Sequence, residues 1–192
     1  MDNQTWVIYG LGNKGTSYKN TYHNLGWLFL DSLAKTLALK EDWQFAYKKQ
    51  FLLLRLEPEN VGVNFPLILV KRNGYMNESG NSLKSLLNYL KTDLDHLMVV
   101  HDDTDLPLLD YKFSWDKDTA GHKGVISINQ NLKTKAYWRL RLGSRPMDNN
   151  SKAMDFVLKK LSTKNLLEFQ RAVPIVYGEL LKKITDIKKA GR

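Results

Sequence analysis

Three short apolar runs, each followed by a polar loop, constrain the fold of this chain more than any other feature. The runs are Trp6–Tyr9, Leu67–Val70 and Leu97–Val100. Apolar runs of this length are typical of strands buried on both faces, as in parallel sheets that helices cover. Segments with helical apolar spacing alternate with them. The chain is therefore predicted to be an α/β protein: a single-domain α/β/α sandwich over residues 1–192, with a mixed, largely parallel central sheet.

The same periodicities predict the individual elements. Strands are expected near residues 5–9, 50–56, 66–71, 96–101, 109–114 and 137–142. Helices are expected over 21–39, from the start signal at 77–79 through Leu90, and from the caps Ser162 and Thr163 through Ile184. Pro174 should kink or interrupt the third helix.

Composition bounds the class of protein. The chain has 192 residues and no cysteine, which excludes thiol catalysis, disulfides and cysteine-based zinc sites. No apolar run approaches the roughly 18 residues that a membrane span requires. The first residues show neither the apolar region of a signal peptide nor the arginines of a transit peptide. We expect a cytoplasmic protein that does not enter a membrane; a mitochondrial location is the alternative, although no targeting segment is seen.

The chain is basic, with 29 Lys and Arg against 20 Asp and Glu, a formal net charge of +9. Such a balance favours a polyanionic partner such as nucleic acid, although a lysine-rich proteome would also produce it. The basic residues are dispersed, which suits a folded basic face better than a disordered tail. Nucleic-acid contacts are predicted at Lys112, Lys133, Lys135 and Arg145.

The glycine-rich loop after the first strand, residues 10–15 with the sequence GLGNKG, has two interpretations. Its three glycines match a dinucleotide-binding fingerprint, and Asp31 lies near the expected downstream acid. That fingerprint needs a helix that begins at its third glycine. Turn and cap formers occupy residues 16–21 instead, and helical spacing begins only at Leu25, so the dinucleotide interpretation is disfavoured.

Polar loops also follow the other two apolar runs, and all three loops should meet at the carboxyl edge of the sheet. The two loops are residues 71–77 (KRNGYMN) and 101–107 (HDDTDLP), and a fourth segment, 120–124 (AGHKG), has the pattern of a loop that opens a helix. These segments carry amides, imidazoles and carboxylates. Because the chain has neither a Gly-x-Ser-x-Gly motif nor a cysteine, water activated by a histidine is the simplest nucleophile.

These segments, in this order and at this spacing, resemble the bacterial-type peptidyl-tRNA hydrolase family. The matching stretches are GLGNKG at 10–15, YKNTYHN at 18–24, YMNESG at 75–80, HDDTDLP at 101–107 and GHKG at 121–124. Together they span most of the chain, whereas no single stretch would be specific. The resemblance implies an α/β hydrolase without a cofactor that cleaves the ester between a peptide and tRNA and so recycles tRNA.

Three catalytic residues are predicted. His23 is the general base, and Asp102, the carboxylate that matches the family, holds the tautomer of that histidine and stabilises its imidazolium form. Asn13 would donate to the ester carbonyl or to the peptide backbone. Each has a structural alternative: a capping or surface histidine, a solvated loop carboxylate and a turn-forming asparagine.

Substrate contacts are predicted at four further positions. Asn77 would supply a second amide donor, Met76 would pack beneath the substrate unless it is simply core, and Tyr18 would contact the end of the tRNA. Lys123 stands where the family typically has asparagine, in Gly-His-Asn-Gly, and the preceding loop 115–120 lacks the family's glycines. Lysine only donates hydrogen bonds, whereas asparagine also accepts them.

A functional but slower enzyme is therefore expected, and it should act as a monomer. An RNA-binding family member with weak or lost hydrolase activity is the alternative, while an esterase for small substrates would leave the charge unexplained. No metal is expected. His101, Asp102 and Asp103 with His122 could suggest one, but adjacent strand residues point to opposite faces and cannot all ligate one ion.

Overall fold

The computed structural model describes residues 5–37, 43–146 and 152–190. Within these segments, seven strands form one sheet: β1 Trp6–Gly10, β2 Gln44–Ala46, β3 Phe51–Leu56, β4 Leu67–Arg72, β5 Leu97–Pro107, β6 Tyr111–Trp115 and β7 Trp138–Arg145. The helices of the same segments are α1 Leu25–Thr36, α2 Pro58–Val61, α3 Ser79–Leu90, α4 Lys123–Leu132, α5 Ala153–Phe156 and α6 Thr163–Lys189. Short 3-10 turns lie at Thr16–Tyr18, Tyr22–Asn24 and Met76–Glu78.

The strands are arranged in the order β2-β3-β4-β1-β5-β7-β6. The central strands β4, β1, β5 and β7 are parallel to one another, and the outer strands β2, β3 and β6 pair antiparallel. The predicted mixed α/β sheet is thus confirmed, and its parallel part is the central four strands. Because β4 and β5 flank β1 on opposite sides, the loops after these three strands surround the point where ligands bind in open α/β sheets.

Two apolar clusters lie on the two faces of the sheet, as a sandwich requires. Successive residues of β1 divide between them: Trp6 and Ile8 join the buried side chains of α1 and α6, while Val7 and Tyr9 join those of α3 and α4. This division follows from the two-residue period of a strand. Among the described helices, none combines the length with the apolar composition that crossing a bilayer demands.

β5 is longer than predicted, so the expectation of a loop over 101–107 is wrong. The strand pairs with β7 through Asp103 and Gly143 and, after a register shift, through Pro107 and Arg145. Polar residues remain in the sheet here because they find partners: Arg141 Nε donates to Asp103 Oδ2 over 2.6 Å, and both side chains are buried. A carboxylate that is paired in this way tolerates burial.

Helix boundaries also differ from the prediction. The first predicted helix is divided into the 3-10 turn Tyr22–Asn24 and α1, and its residues 38 and 39 lie outside the described segments. The Ser162 cap of α6 is confirmed, since its Oγ accepts from Asn165 N over 3.1 Å. Pro174 does not interrupt α6, because it lies on the exposed side, where water can replace the lost hydrogen bond.

The dinucleotide interpretation of the glycine-rich loop is excluded. α1 begins at Leu25 rather than at Gly15, and only the 3-10 turn Thr16–Tyr18 follows the third glycine of the fingerprint. Asp31 lies inside α1, where its carboxylate pairs with the ammonium of Lys71. Neither feature that the fingerprint requires is present in this part of the chain.

One close backbone contact sets the position of α1 and therefore of the turn before it. Gly26 lies against the main chain of two neighbouring segments: a Cβ on it would meet Val100 O at 2.5 Å, Leu11 O at 2.6 Å and Leu11 N at 2.7 Å. Those atoms belong to the backbone and cannot turn aside. Only glycine therefore allows α1 to pack this closely on the end of β1 and on β5.

Substitution of this glycine should destabilise the protein. Gly26→Ala is expected to lower the free energy of unfolding by about 1–3 kcal/mol, the cost of overpacking. Gly178→Ala in α6 is the matched control, because its new Cβ would meet nothing within 4 Å. That control should instead raise the free energy of unfolding by roughly 0.5–1 kcal/mol through helix propensity. Urea unfolding of both variants measures the difference, and equal changes would contradict the close contact.

Candidate active site

A cavity of about 490 Å³ opens at the carboxyl ends of β1 and β4, beside residues 102–104 of β5. It brings together every residue that was predicted to be catalytic or to contact the substrate, namely Asn13, Tyr18, His23, Met76, Asn77, Asp102 and Lys123. The loops after β1 and β4 meet here as predicted, whereas β5 contributes residues 102–104 from the strand itself. The roles of the individual residues stay predictions.

His23 lies in the 3-10 turn directly before α1, and its ring reaches Asp102 on β5. Its main-chain N donates to Val157 O over 2.8 Å, which fixes the turn. Its Nδ1 lies 2.9 Å from Asp102 Oδ1. Because an ionised carboxylate only accepts, Nδ1 carries the proton and Nε2 keeps a lone pair. Within the described segments Nε2 has no hydrogen-bond partner, and the residue lines the cavity with 8% of its surface exposed.

His122 is a second partner of Asp102, and it was missed as a site residue. Its Nε2 lies 2.9 Å from the same Oδ1, while its Nδ1 accepts from Gly124 N and Val125 N at 3.1 and 3.3 Å and so caps α4. Backbone amides can only donate, so Nδ1 is unprotonated and Nε2–H donates to Asp102. The matching stretch at 121–124 could have identified this histidine as a site residue. From the sequence it was weighed only as a possible metal ligand.

These contacts shift the pKa values of Asp102 and His23. Burial alone would raise the pKa of Asp102, which is 1% exposed, but His23 and His122 outweigh burial and hold this pKa far below its usual range. For His23, burial opposes the charged ring, yet the charge and hydrogen bond of Asp102 prevail and raise the pKa. The ammonium of Lys123 acts in the opposite direction and lowers the pKa of His23.

Asn13 is held so that only its amide donor is left for the cavity. The Asn24 side chain makes two hydrogen bonds to the main chain of Asn13: its Oδ1 accepts from Asn13 N over 2.8 Å, and its Nδ2 donates to Asn13 O over 3.0 Å. Met76 N lies 2.8 Å from the side-chain oxygen of Asn13. Since a main-chain N–H must meet an acceptor, the orientation of the amide is fixed and its Nδ2 faces away from Met76. Asn24 is a positioning residue that was not predicted.

The rest of the cavity has a polar side and an apolar side. Tyr18 and Tyr75 meet edge to face at 6.4 Å, and Asn77 is exposed beside them. Across the cavity, Met154, Val157 and Leu158 form an apolar wall, of which Met154 is 81% exposed. Neither Tyr75 nor this wall was predicted, because nothing in the local sequence distinguishes exposed apolar side chains from ordinary surface.

Met76 serves the core as well as the cavity. It is buried, and its Sδ occupies the space in which a side chain at position 124 would lie, 2.5 Å from a Cβ built on Gly124. Its backbone orients Asn13, as described above. Met76 can therefore be a core residue and still pack beneath the substrate.

The four predicted nucleic-acid contacts lie outside the cavity. Lys112 is exposed on the edge strand β6, and Lys133 is exposed directly after α4. Lys135 pairs with Asp118, so its charge is partly used within the protein. Arg145 Nε donates to Thr104 O over 2.7 Å, and its guanidinium lies over the Phe156 ring. None of this tests their contact with RNA.

A metal does not suit the three side chains that meet here. Ligand atoms of His23, Asp102 and His122 lie within 4.8 Å of one another. A histidine that binds a metal must present a lone pair, whereas the nitrogens facing Asp102 are the protonated Nδ1 of His23 and Nε2 of His122. His122 cannot exchange tautomers without losing its cap on α4. The expectation that the protein binds no metal stays a prediction that this chemistry favours.

Known proteins resemble this chain in sequence and in fold. The family model for peptidyl-tRNA hydrolase matches residues 7–190. A peptidyl-tRNA hydrolase of Mycoplasma capricolum subsp. capricolum is 37% identical over 163 residues, 83% of this chain and 82% of that protein. One from Phytoplasma mali is 34% identical over 185 residues, 94% of this chain and 98% of the relative. The crystal structure of the Acinetobacter baumannii peptidyl-tRNA hydrolase shares the fold at 22% identity, with a TM-score of 0.74 over 96% of this chain and 95% of that one.

The acidity of His23 should respond to its two charged neighbours in opposite directions. Asp102→Asn removes the anion that raises the pKa of His23, so this pKa should fall. Lys123→Asn removes a cation and should raise it. NMR titration of the imidazole signals measures both changes, with the signals of His96, at the opposite end of β5, as an internal control. A shift of the same sign in both variants would contradict the geometry.

Proposed function

Since this chain belongs to the peptidyl-tRNA hydrolase family, we propose that it hydrolyses the ester joining a peptide to tRNA, with water as the nucleophile and His23 as the general base. The observation that carries this proposal is the His23–Asp102 pair, which leaves the lone pair of Nε2 open to the cavity. Among the described residues that line the cavity there is no serine, neither of the two threonines, Thr104 and Thr119, hydrogen-bonds to His23, and the chain has no cysteine. Water therefore takes the place of a side-chain nucleophile.

The proton follows a short path in this mechanism. His23 Nε2 accepts a proton from the attacking water as its oxygen bonds to the ester carbonyl carbon, and Asp102 stabilises the imidazolium that forms. When the tetrahedral intermediate collapses, the bond to the ribose oxygen breaks and Nε2 returns the proton to that oxygen. The products are a peptide with a free carboxyl group and a tRNA with a free hydroxyl group.

Charge on the carbonyl oxygen needs donors at the same time. The free Nδ2 of Asn13 is the donor that we propose, and the ammonium of Lys123, which lines the same cavity, is assigned to substrate binding. α4 begins at this lysine, so the positive end of its helix dipole lies at the cavity. Asn77 lines the cavity as a second amide, and the edge-to-face pair of Tyr18 and Tyr75 offers ring surfaces at which the end of the tRNA can stack.

The acidity of His23 sets the pH dependence. Catalysis needs the neutral ring, so turnover is lost as the pH falls through the pKa of His23, which Asp102 raises. Lys123 lowers this pKa and keeps the base available at lower pH, but it lacks the acceptor of an asparagine. A working enzyme that is slower than one with asparagine here is the outcome that we propose for this position.

The basic surface is proposed to hold the tRNA phosphates. Lys112 and Lys133 are exposed and remain the stronger candidates, whereas Lys135 and Arg145 already contact other groups of the protein. Lys133 follows the far end of α4, about 15 Å from the cavity at the usual helical rise. Action as a monomer in the cytoplasm completes the proposal.

The base is tested by its removal. His23→Ala should lower kcat for peptidyl-tRNA by about 10²–10⁴, while the affinity for uncharged tRNA stays nearly unchanged. His96→Ala, a histidine far from the cavity, is the matched control and should keep full turnover. Wild-type protein that binds tRNA without hydrolysing peptidyl-tRNA would favour an RNA-binding protein, and a His23→Ala variant with most of its turnover would remove His23 from the mechanism.

Asn13→Asp isolates the donor role of Asn13. The new carboxylate still accepts from Met76 N, so the loop should keep its place, but the donor towards the cavity is lost. We expect kcat to fall by about 10²–10³, the usual effect of removing an oxyanion donor. Asn88→Asp, on the exposed side of α3, introduces the same charge elsewhere and should leave kcat unchanged. A rise in KM alone would make Asn13 a residue that positions substrate.

A further inference from the structure

The loop between β6 and α4, residues 116–121, forms one wall of the cavity in a conformation that its sequence does not favour. Thr119, Ala120 and Gly121 line the cavity, and the loop leads directly to His122 and Lys123. Asp116 and Ala120 both have φ of 46°, in the left-handed region that side chains other than glycine rarely adopt. Such backbone persists only where its surroundings hold it in place.

Arg139 is the group that holds this loop. Its side chain projects from β7 and is 1% exposed, and its Nη2 donates to the main-chain oxygens of Lys117 and Asp118. Its Nε has no partner among the described residues. The hydrogen bonds of the buried guanidinium are therefore made to two carbonyl groups of the loop. If the loop moved away, the charge would remain buried without partners, so the loop and the guanidinium hold each other.

The held segment is connected to the site through a short series of hydrogen bonds. Directly after the two bonded carbonyls, Thr119 accepts twice: its Oγ1 from Gly121 N over 3.3 Å and its main-chain O from His122 N over 2.9 Å. The position of Thr119 thus fixes the start of α4, including Lys123. The exposed pair of Lys135 with Asp118 adds little, because water and salt screen it.

We propose that Arg139 is a positioning residue of the hydrolase, and that it acts through the loop 116–121 to place the cavity wall and Lys123 against the substrate. The inference rests on the proposed function. Because His23 and Asp102 belong to the turn before α1 and to β5, they do not depend on the loop for their place. Loss of Arg139 should therefore weaken substrate binding more than it slows the chemical step.

Three variants test this inference. In Arg139→Met, which keeps the length of the side chain without donors, KM for peptidyl-tRNA should rise about tenfold while kcat changes less than about threefold, since ground-state contacts are lost. Arg139→Lys keeps the charge and one donor group and should give an intermediate KM. Lys183→Met is the control: the Lys183 ammonium on α6 contacts the Trp138 ring of β7, so this variant removes a cation that packs on the same strand without touching the loop.

Hydrogen exchange separates positioning from general destabilisation. In Arg139→Met the amides of Gly121 and His122 should exchange faster, while those of α3 stay protected and the Lys183→Met control shows neither change. Unaltered exchange and KM in both Arg139 variants, or a loss of kcat that parallels a fall in Tm, would overturn the inference. Should Arg139→Met not fold, the KM and exchange of Arg139→Lys decide. A wild-type chain without hydrolase activity would contradict the proposed function instead.

Discussion

The buried carboxylate of Asp102 is the interaction on which the site depends. A carboxylate with 1% exposure is tolerated only where hydrogen bonds replace water, and one oxygen of Asp102 accepts from two imidazoles, each at 2.9 Å. The partners are 79 residues before it and 20 residues after it. One charge therefore joins β5 to the turn before α1 and to the loop before α4. The same charge fixes the tautomers of both rings, so the contact that orders the site also leaves Nε2 of His23 unprotonated.

Parallel strand packing brings those segments within reach of one another. The loops after β1 and β4 end at one edge because these strands run in one direction, and β5, parallel to β1, brings its residues 102–104 to the same edge. Gly26 lets α1 approach the backbone of β5 and of Leu11, while Gly124 lets the start of α4 pack against the side chains of Met76 and Leu11. Packing therefore helps to fix the site, most strictly at Gly26, where one additional carbon atom would meet backbone atoms that cannot turn aside.

Two buried arginines on β7, Arg139 and Arg141, also order the segments around the cavity. Arg141 pairs with Asp103, the neighbour of Asp102, and Arg139 holds the carbonyl groups of the loop that leads to His122. Two adjacent arginines on one face of a strand would repel each other and resist burial if they had no partners. Their partners lie in the two segments that form the floor and one wall of the cavity, so desolvated charge is used to order the site rather than to stabilise an isolated pair.

The sequence by itself determined the α/β class, most of the strands, the Ser162 cap and part of the lining of the cavity, because apolar period, capping chemistry and motif spacing are local properties. The central parallel strands could be predicted for the same reason. The extension of β5 to Pro107 could not, since buried aspartates in a strand are acceptable only when Arg141 and the histidines are known to face them. Exposed β2, with three residues, left no pattern to detect.

Tertiary structure alone decided which atom of each polar side chain is available. The oxygen of Asn13 faces Met76 N, so its amide nitrogen is free; Nδ1 of His122 caps α4, so its Nε2–H reaches Asp102. The pairing of Lys135 with Asp118 and of Arg139 with loop carbonyls belongs to the same class. Hydrogen-bond direction depends on partners that are distant along the chain, and no local pattern of residue types records which partner a side chain will meet.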